Sequence, residues 1–353
     1  MRTLRRRTDR TVASNGTADA AGDAAPLLDV RGLTVEFATR RGVVQAVRDV
    51  DIRIAPGETV ALLGESGSGK SVTAQAIMGI LPRDVSRVAG GSVLYAGEDL
   101  LRVPARRLRE LRGAEIAMVF QDPMSSLNPV MRIGYQLSEA LWRKGGATRR
   151  AARARAIELM EIVGIPEAMH RIDDYPHQFS GGMRQRIMIA MALARDPKLL
   201  IADEPTTALD VTVQAQIMEL LARVQDEFGM ALLLITHDLG VVADTADRVY
   251  VMYAGSIIES GPTRGAYDYP SHPYTEGLLA SIPSEYGDGQ RLNPIPGSPP
   301  LPSSEHVGCP FAPRCPYATV RCRDHEPELR HPAGWPADRV AACHRSEEVL
   351  RHD

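Results

Sequence analysis

Residues 179–186 read Phe-Ser-Gly-Gly-Met-Arg-Gln-Arg, shortly before an apolar run that ends in Ala-Asp-Glu-Pro at residues 202–205. Well upstream, residues 64–71 read Gly-Glu-Ser-Gly-Ser-Gly-Lys-Ser, the glycine-rich pattern of a phosphate-binding loop. A short apolar segment precedes this loop, and apolar residues follow it at helical spacing as far as residue 80. Because a strand, a glycine loop and a helix together make a phosphate loop, the sequence predicts an α/β protein that binds a nucleoside triphosphate.

The composition is that of an ordinary soluble globular protein. The 353 residues are 44% hydrophobic and 24% charged, and the net charge of −3 gives no electrostatic support for nucleic-acid binding. No apolar run reaches the roughly 18 residues that a membrane span requires. Residues 1–25 begin with a cluster of arginines and lack the apolar stretch of a secretory signal, which predicts a disordered tail. Weak attraction to anionic lipid is the alternative use of that tail.

Periodicity predicts three parts after the tail. Residues 26–262 are expected to form the nucleotide-binding core, which contains an antiparallel β subdomain before the phosphate loop and buried parallel strands at residues 199–203 and 231–236. Within the core, residues from about 122 to 185 show helical spacing and arginine-rich faces, which indicates a helical insert. Residues 263–353 are richer in proline and hold all four cysteines, so a C-terminal extension is expected there.

The phosphate loop has a direct chemical interpretation. Gly64, Gly67 and Gly69 remove side chains that would keep backbone N–H groups from converging on phosphate oxygens. Lys70 supplies a positive charge to the β- and γ-phosphates, and the Ser71 hydroxyl is placed to bind Mg²⁺.

Two acidic residues end the later apolar strand. Asp203 and Glu204 could simply cap the turn that follows. In a protein that has a phosphate loop, the stronger interpretation is that Asp203 holds the Mg²⁺ shell while Glu204 orients or deprotonates the attacking water. Glu204 is therefore the predicted catalytic residue.

Six segments occur in the order found in ABC transporter nucleotide-binding subunits, which this chain resembles. They are the phosphate loop, Gln121 after residues 119–120, the run at 179–186, the acidic pair, residues 208–210, and His237 after the strand at 231–236. The resemblance implies an α/β fold with a P-loop ABC ATPase core, an antiparallel β subdomain, a helical subdomain insert and a cysteine-containing extension. It also implies hydrolysis of ATP with Mg²⁺.

The resemblance further implies roles for individual residues. Phe37 would stack on adenine, although ordinary core packing is its alternative. Gln121 would contact Mg²⁺ and the attacking water, and His237 the γ-phosphate; Asp210 would contact the opposite subunit. With Glu204 and Lys70, Gln121 and His237 form the implied catalytic set. The implied nucleotide contacts are Phe37, Gly64, Glu65, Ser66, Gly67, Ser68, Gly69, Lys70, Ser71, Ser180, Gly181, Gly182 and Asp210, and the implied Mg²⁺ ligands are Ser71, Gln121 and Asp203.

The run at 179–186 resembles the signature sequence of the family. Phe179 and Met183 depart from its commonest form, but Ser180, Gly181 and Gly182 can still offer a hydroxyl and backbone N–H groups to a γ-phosphate at the start of a helix. In this family the signature faces the phosphate loop of another ATPase domain. The resemblance therefore implies a homodimer or a heterodimer.

A narrower resemblance connects the chain with oligopeptide and dipeptide importers, to which nickel importers are close relatives. It rests on residues 120–129, 175–178, 272–275, 295–297 and 308–316. It implies a peripheral ATPase on the cytoplasmic face of the cell membrane that drives peptide uptake through two integral-membrane permease subunits, supplied by an extracytoplasmic solute-binding protein, with no nucleic-acid partner. The alternatives are import of nickel or another small solute, a soluble ABC ATPase that acts on DNA or ribosomes, and a simple nucleotide-binding regulator.

The four cysteines suggest a metal cluster in the extension. Cys309, Cys315, Cys322 and Cys343 would not form disulfides in a cytosolic ATPase, and they lack the paired spacing of a zinc site. Four thiolates can hold a [4Fe–4S] cluster, and the resemblance to peptide importers implies the same group. Zinc or no metal are the alternatives.

Overall fold

The computed structural model describes residues 25–40, 42–143, 146–207, 209–281, 295–300, 307–331, 335–336 and 338–349. The tail predicted for residues 1–25 lies outside the described residues except for its last member, and Ala208 of the segment at 208–210 also lies outside them.

The described residues form both β-strands and α-helices. The strands are β1 (Leu28–Thr39), β2 (Gly42–Ile54), β3 (Thr59–Leu63), β4 (Ser86–Tyr95), β5 (Glu98–Asp99), β6 (Ile116–Val119), β7 (Leu199–Asp203), β8 (Ala231–Thr236), β9 (Arg248–Tyr253), β10 (Ser256–Pro262) and β11 (Val340–Ala341). The helices are α1 (Lys70–Met78), α2 (Ala105–Leu111), α3 (Pro123–Ser126), α4 (Ile133–Arg143), α5 (Arg149–Ile162), α6 (Ala168–Arg171), α7 (Gly181–Leu193), α8 (Val211–Phe228), α9 (Leu239–Thr245), α10 (Thr263–Asp268), α11 (Pro273–Ala280), α12 (Val320–Asp324) and α13 (Ser346–Val349).

The central sheet carries the nucleotide motifs. Among the described strands its order is β11-β10-β9-β3-β8-β7-β6, with β9, β3, β8, β7 and β6 parallel and the β10 and β11 edge antiparallel. Strands β3, β7 and β8 are buried along their whole length, as their continuous apolar sequences predict. The phosphate loop, Glu204 and His237 follow the carboxyl ends of these three strands, which is the edge where parallel α/β sheets bind ligands.

A second, antiparallel sheet has the order β2-β1-β4-β5. The end of β2 alternates between exposed and buried residues, and its buried members join a core shared with β3 and α1. The predicted antiparallel β subdomain is therefore present, and its buried face packs against β3 of the central sheet and against Ala74, Ile77 and Met78 of α1. Together with the central sheet, this confirms the predicted α/β class.

Helices α3 to α7 lie between β6 and β7 in the chain. Residues that recur at helical intervals in the sequence are buried here: Leu137 on α4, Ala156, Leu159 and Met160 on α5, and Val163 at the C-cap of α5. These side chains belong to the same core as β7 and β8, so the helical insert is packed directly on the nucleotide-binding sheet.

The C-terminal segment is fastened to the core by pairing and by charge. Strand β11 adds to the edge strand β10, and Arg339 beside it donates to the buried carboxylate of Glu259 at 3.4 Å. Arg48 of β2 donates to Glu326 at 2.9 Å. In the described part of the chain, no helix is long and apolar enough to cross a membrane.

Candidate active site

The phosphate loop requires glycine at two of its turns. Gly64 and Gly69 have backbone φ angles of 150° and 110°, which residues other than glycine rarely adopt. A Cβ at Gly69 would lie 2.5 Å from the carbonyl oxygen of Ala46, and one at Gly64 would collide with the carbonyl oxygen of Met252. The loop therefore passes too close to the neighbouring backbone for any larger residue, and α1 begins immediately after it at Lys70.

Lys70 is held inside the phosphate loop. It is 4% exposed, and its Nζ donates to the carbonyl oxygens of Gly64 at 2.7 Å and Glu65 at 2.9 Å. Burial lowers the pKa of its ammonium, while the nearby carboxylates of Glu204, Asp203 and Glu65 act in the opposite direction. The ammonium thus occupies the mouth of an anion-binding loop, where it can move from backbone carbonyls to phosphate oxygens.

Ser71 and Asp203 bring two hard oxygen donors together. The Ser71 hydroxyl donates to Asp203 Oδ1 at 2.9 Å across the junction of α1 and β7. Burial is the main cause that raises the pKa of Asp203, while the hydrogen bond from Ser71 and the charge of Lys70 act in the opposite direction. The nearby Ser68 Oγ is buried without a hydrogen-bond partner. Oxygen donors of this kind suit Mg²⁺, so the residues present fit an ion bound with nucleotide.

Glu204 is positioned by three side chains. Gln121 Nε2 donates to Glu204 Oε2 at 2.8 Å, Thr207 Oγ1 donates to the same oxygen at 2.9 Å, and His237 Nδ1 lies 3.7 Å from Glu204 Oε1. The backbone of Glu204 is left-handed, with φ 46°. This conformation costs a residue other than glycine about 1–3 kcal/mol, and such residues cluster at active sites. The structure therefore brings Gln121 and His237 close to Glu204, and the family resemblance implied all three as members of one catalytic set.

Ser180 of the signature and Asp210 each cap the start of a helix. Ser180 is the N-cap of α7, where its Oγ accepts from the backbone N–H of Met183 at 3.3 Å, and Asp210 caps α8 in the same way by accepting from Val213 at 3.0 Å. A Cβ at Gly182 would lie 2.7 Å from Val213 Cγ1, so the two helix starts pack closely. Within the described residues, no hydrogen bond or ion pair joins the signature to the phosphate loop of the same chain.

Phe37 is half-buried near the end of β1. It pairs with Val44 on β2 and Ser86 on β4, and its ring packs against the core of the β subdomain. Both of its predicted uses, adenine stacking and core packing, are compatible with this position.

Sequence reasoning assigned no role to three residues that contact the site. Thr207 binds Glu204 as described above. Arg314 forms a bidentate ion pair with Glu65 (Nη1–Oε2 2.6 Å and Nη2–Oε1 3.0 Å). The Tyr274 hydroxyl accepts a hydrogen bond from the backbone N–H of Glu65 at 2.8 Å. Thr207 could have been found from its position three residues after the acidic pair. Arg314 lies 249 residues from its partner, and no spacing rule connects them.

The predicted iron–sulfur site is not supported by the structure. All four cysteines, free in the described chain, line one cavity together with His272 and Phe311. However, no group of three or more His, Cys, Asp or Glu side chains among the described residues is arranged to hold a metal ion. Burial raises the pKa of Cys309 to about 11 and that of Cys343 to about 12, so in the metal-free protein these two groups are thiols at neutral pH.

Comparison with protein-family models gives two matches. Residues 47–207 match the ABC transporter family, and residues 258–322 match the oligopeptide/dipeptide transporter C-terminal region. The first range contains the phosphate loop, Gln121, the signature and the acidic pair. The second range contains Tyr274, Arg314 and the first three cysteines.

Curated relatives and solved structures agree with these matches. A putative peptide import ATP-binding protein of Brucella abortus (strain 2308) is 57% identical over 303 residues, which cover 86% of this chain and 91% of that protein. The dipeptide transport ATP-binding protein DppD of Bacillus subtilis (strain 168) is 52% identical over 84% of this chain and 88% of its own length.

The solved structures extend this agreement to the fold. The cassette MJ0796, in a dimeric post-hydrolysis state bound to ADP and Pi, has a TM-score of 0.60 and 28% identity over 67% of this chain and 99% of that one. Cassette cbiO1 from Clostridium perfringens, part of the ABC transporter complex cbiONQ, has a TM-score of 0.59 and 30% identity over 69% of this chain and 91% of its own. The resemblance inferred from the sequence is confirmed: the chain belongs to the ABC transporter family of ATP-binding proteins, in the group that carries the oligopeptide/dipeptide transporter C-terminal region.

Proposed function

We propose that this chain is the ATP-hydrolysing subunit of an importer that takes up peptides. The observation that carries the proposal is the convergence of Gln121, Thr207 and His237 on the carboxylate of Glu204, next to the Ser71–Asp203 pair and the phosphate loop. This arrangement supports hydrolysis rather than nucleotide binding alone, because it places a positioned base beside the residues that would hold Mg²⁺ and phosphate.

The residues have distinct parts in the proposed reaction. The phosphate-loop N–H groups and Lys70 bind the phosphates, and Ser71 with Asp203 would hold Mg²⁺, which neutralises charge on the phosphate oxygens. Glu204 Oε1 accepts a proton from the attacking water, while its Oε2 is kept in place by Gln121 and Thr207. His237 is 61% exposed at the end of β8, where it can reach the γ-phosphate of a bound nucleotide.

A second ATPase subunit is part of the proposal. Ser180 caps α7, which begins at Gly181, and within the described residues neither Ser180 nor the two glycines after it bond to the phosphate loop of their own chain. A helix start of this kind binds an anion well, so its proposed target is the γ-phosphate held by a second subunit. Asp210, at the start of the adjacent α8, would lie in the same interface. The solved relative MJ0796 is dimeric, which supports this arrangement.

The chain is proposed to work with membrane partners. It would bind two integral-membrane permease subunits at the cytoplasmic face of the membrane, and an extracytoplasmic binding protein would deliver peptide to them. The names of its relatives at 52–57% identity, peptide import and dipeptide transport ATP-binding proteins, support peptides as cargo rather than nickel. The helical insert formed by α3 to α7 is short, which argues against a soluble ATPase that acts on DNA.

The experiment is affinity purification of the tagged chain from membranes of its own host. We expect two polytopic membrane proteins in stoichiometric amounts, and ATP hydrolysis in that complex which rises when binding protein and peptide are added. Recovery with ribosomes or DNA, or an absence of membrane partners, would contradict the proposal.

The iron–sulfur prediction is kept as a separate hypothesis with its own test. The four cysteines share one cavity, as a four-thiolate cluster requires, although the described side chains do not form a metal-binding group. Binding would also require loss of the thiol protons from Cys309 and Cys343. Anaerobic purification should give a brown protein that absorbs near 400 nm and contains iron. A colourless, iron-free preparation would exclude the cluster.

A further inference from the structure

We propose that Arg314, in the C-terminal extension, is a positioning residue for ATP binding. It neutralises the carboxylate of Glu65 in the first turn of the phosphate loop, so the extension acts on the nucleotide site through the charge of that loop. The proposal rests on the assignment of residues 64–71 as the ATP-binding loop.

Arg314 is buried, and all three guanidinium nitrogens have partners. The residue is 6% exposed; Nη1 and Nη2 hold the two carboxylate oxygens of Glu65, Nε donates to the carbonyl oxygen of Pro296 at 2.9 Å, and Nη1 also lies 3.4 Å from the hydroxyl of Tyr253. An arginine is rarely buried unless its charge is matched, and the two-pronged geometry fixes direction as well as distance. The guanidinium therefore defines where the Glu65 side chain lies.

Glu65 needs such a partner because of its place in the loop. Its carbonyl oxygen accepts from Lys70 Nζ, and its carboxylate lies close enough to influence the pKa of that lysine. A triphosphate bound by Lys70 would approach the same carboxylate, and two negative groups repel each other. Arg314 removes that repulsion while leaving Lys70 available for phosphate.

The loop is also held through its backbone on the same side. The hydroxyl of Tyr274 on α11 accepts from Glu65 N–H at 2.8 Å, and the rings of Tyr253, Tyr274 and Phe311 pack on one another with centroids 4.6–5.4 Å apart. Arg314 belongs to the segment between Cys309 and Cys315. Its guanidinium lies beside this aromatic cluster and reaches Glu65. The folding of the extension thus sets the position of the guanidinium that contacts the phosphate loop.

The test compares the full-length variants Arg314→Gln, Glu65→Gln and the double variant, by equilibrium binding of a fluorescent ATP analogue. We expect Arg314→Gln to weaken binding about tenfold, the scale of one uncompensated nearby charge. Glu65→Gln should bind more tightly than the wild type, because the positive charge of Arg314 then faces the phosphates without its partner. The double variant should return to within about threefold of the wild type, since neither charge remains. Because the repulsion is screened by salt, the loss in Arg314→Gln should shrink between low and high ionic strength.

Glu326→Gln is the matched control. It also removes an ion pair between extension and core, the one with Arg48, but it does not touch the phosphate loop, so its ATP affinity should equal that of the wild type. A double variant that binds as weakly as Arg314→Gln, with no salt dependence, would overturn the proposal. Should Arg314→Gln not fold, an affinity loss in Glu65→Gln, or in the double variant, would overturn it equally. Failure of the wild type to bind ATP would instead reject the assignment of the loop.

Discussion

Replacement of Glu204 by Gln is the most informative perturbation of the proposed chemistry. The carboxamide oxygen of the new side chain can still accept from Gln121 and Thr207, whose donors lie 2.8 and 2.9 Å from Glu204 Oε2 in the native protein. The position is therefore kept, and what is lost is the ability to accept a proton from water. A positioned base contributes about 10²- to 10⁴-fold to a rate, equal to roughly 2.7–5.4 kcal/mol in the barrier. We expect kcat to fall by that factor.

In the same variant, the affinity for ATP should rise or stay unchanged. Glu204 opposes the loss of charge at Lys70 through its own negative charge, and that charge also faces the incoming phosphates. Phosphate release under saturating ATP measures kcat, and equilibrium binding measures affinity; Thr207→Val serves as the control, because it removes one bond to Glu204 and keeps the carboxylate. A Glu204→Gln enzyme within about threefold of wild-type turnover would refute the assignment of Glu204 as the base.

Three further variants test the other parts of the site. Lys70→Ala should weaken ATP binding at least about tenfold, because the β- and γ-phosphates lose their charged partner, as titration calorimetry would register; unchanged affinity would contradict the role. Asp203→Asn should raise the nucleotide-free melting temperature by about 2 °C at pH 7, since burial raises the Asp203 pKa and its ionised form therefore costs stability. The gain in melting temperature should shrink as the pH falls towards the raised pKa of Asp203, because the native side chain then becomes neutral as well. Mg²⁺-dependent hydrolysis should be lost at every pH. A melting temperature at pH 7 below that of the wild type would contradict the assigned cost of burying the Asp203 charge. Ser180→Ala should remove a helix cap worth about 1 kcal/mol and lower kcat, while a chain that is not in a dimer keeps its ATP affinity; weaker binding by the isolated subunit would show that the signature acts within its own chain.

Much of the central sheet was predictable from sequence because its strands are buried on both faces. The runs at β7 and β8 are continuous and apolar, and the glycine loop after β3 has only one common structural context. The acidic pair and His237 follow strand ends, so their convergence also follows from the parallel arrangement. The hydrogen bond between Gln121 and Glu204 was not predicted, because nothing local connects residues that follow neighbouring strands; the family resemblance implied only that Gln121 contacts Mg²⁺ and the attacking water.

The contacts of the extension were not predictable in the same way. Arg314 meets Glu65, and β11 adds to β10, only after the whole chain has folded, because neither pairing has a local sequence signal. The presence of four cysteines in the extension was also not enough to predict whether they hold a metal. Clustering in sequence correctly placed them around one cavity, but distances between side chains decide whether a metal can be held.

Peptide uptake by a reconstituted transporter tests the central claim most directly. Proteoliposomes would contain this chain with its permeases, ATP on the side of this chain, and the binding protein with labelled peptide on the other side. The account predicts ATP-dependent accumulation of peptide with the wild-type chain, none with Glu204→Gln, and none of a nickel chelate with either. Equal accumulation with the two chains, or uptake of nickel in place of peptide, would contradict it.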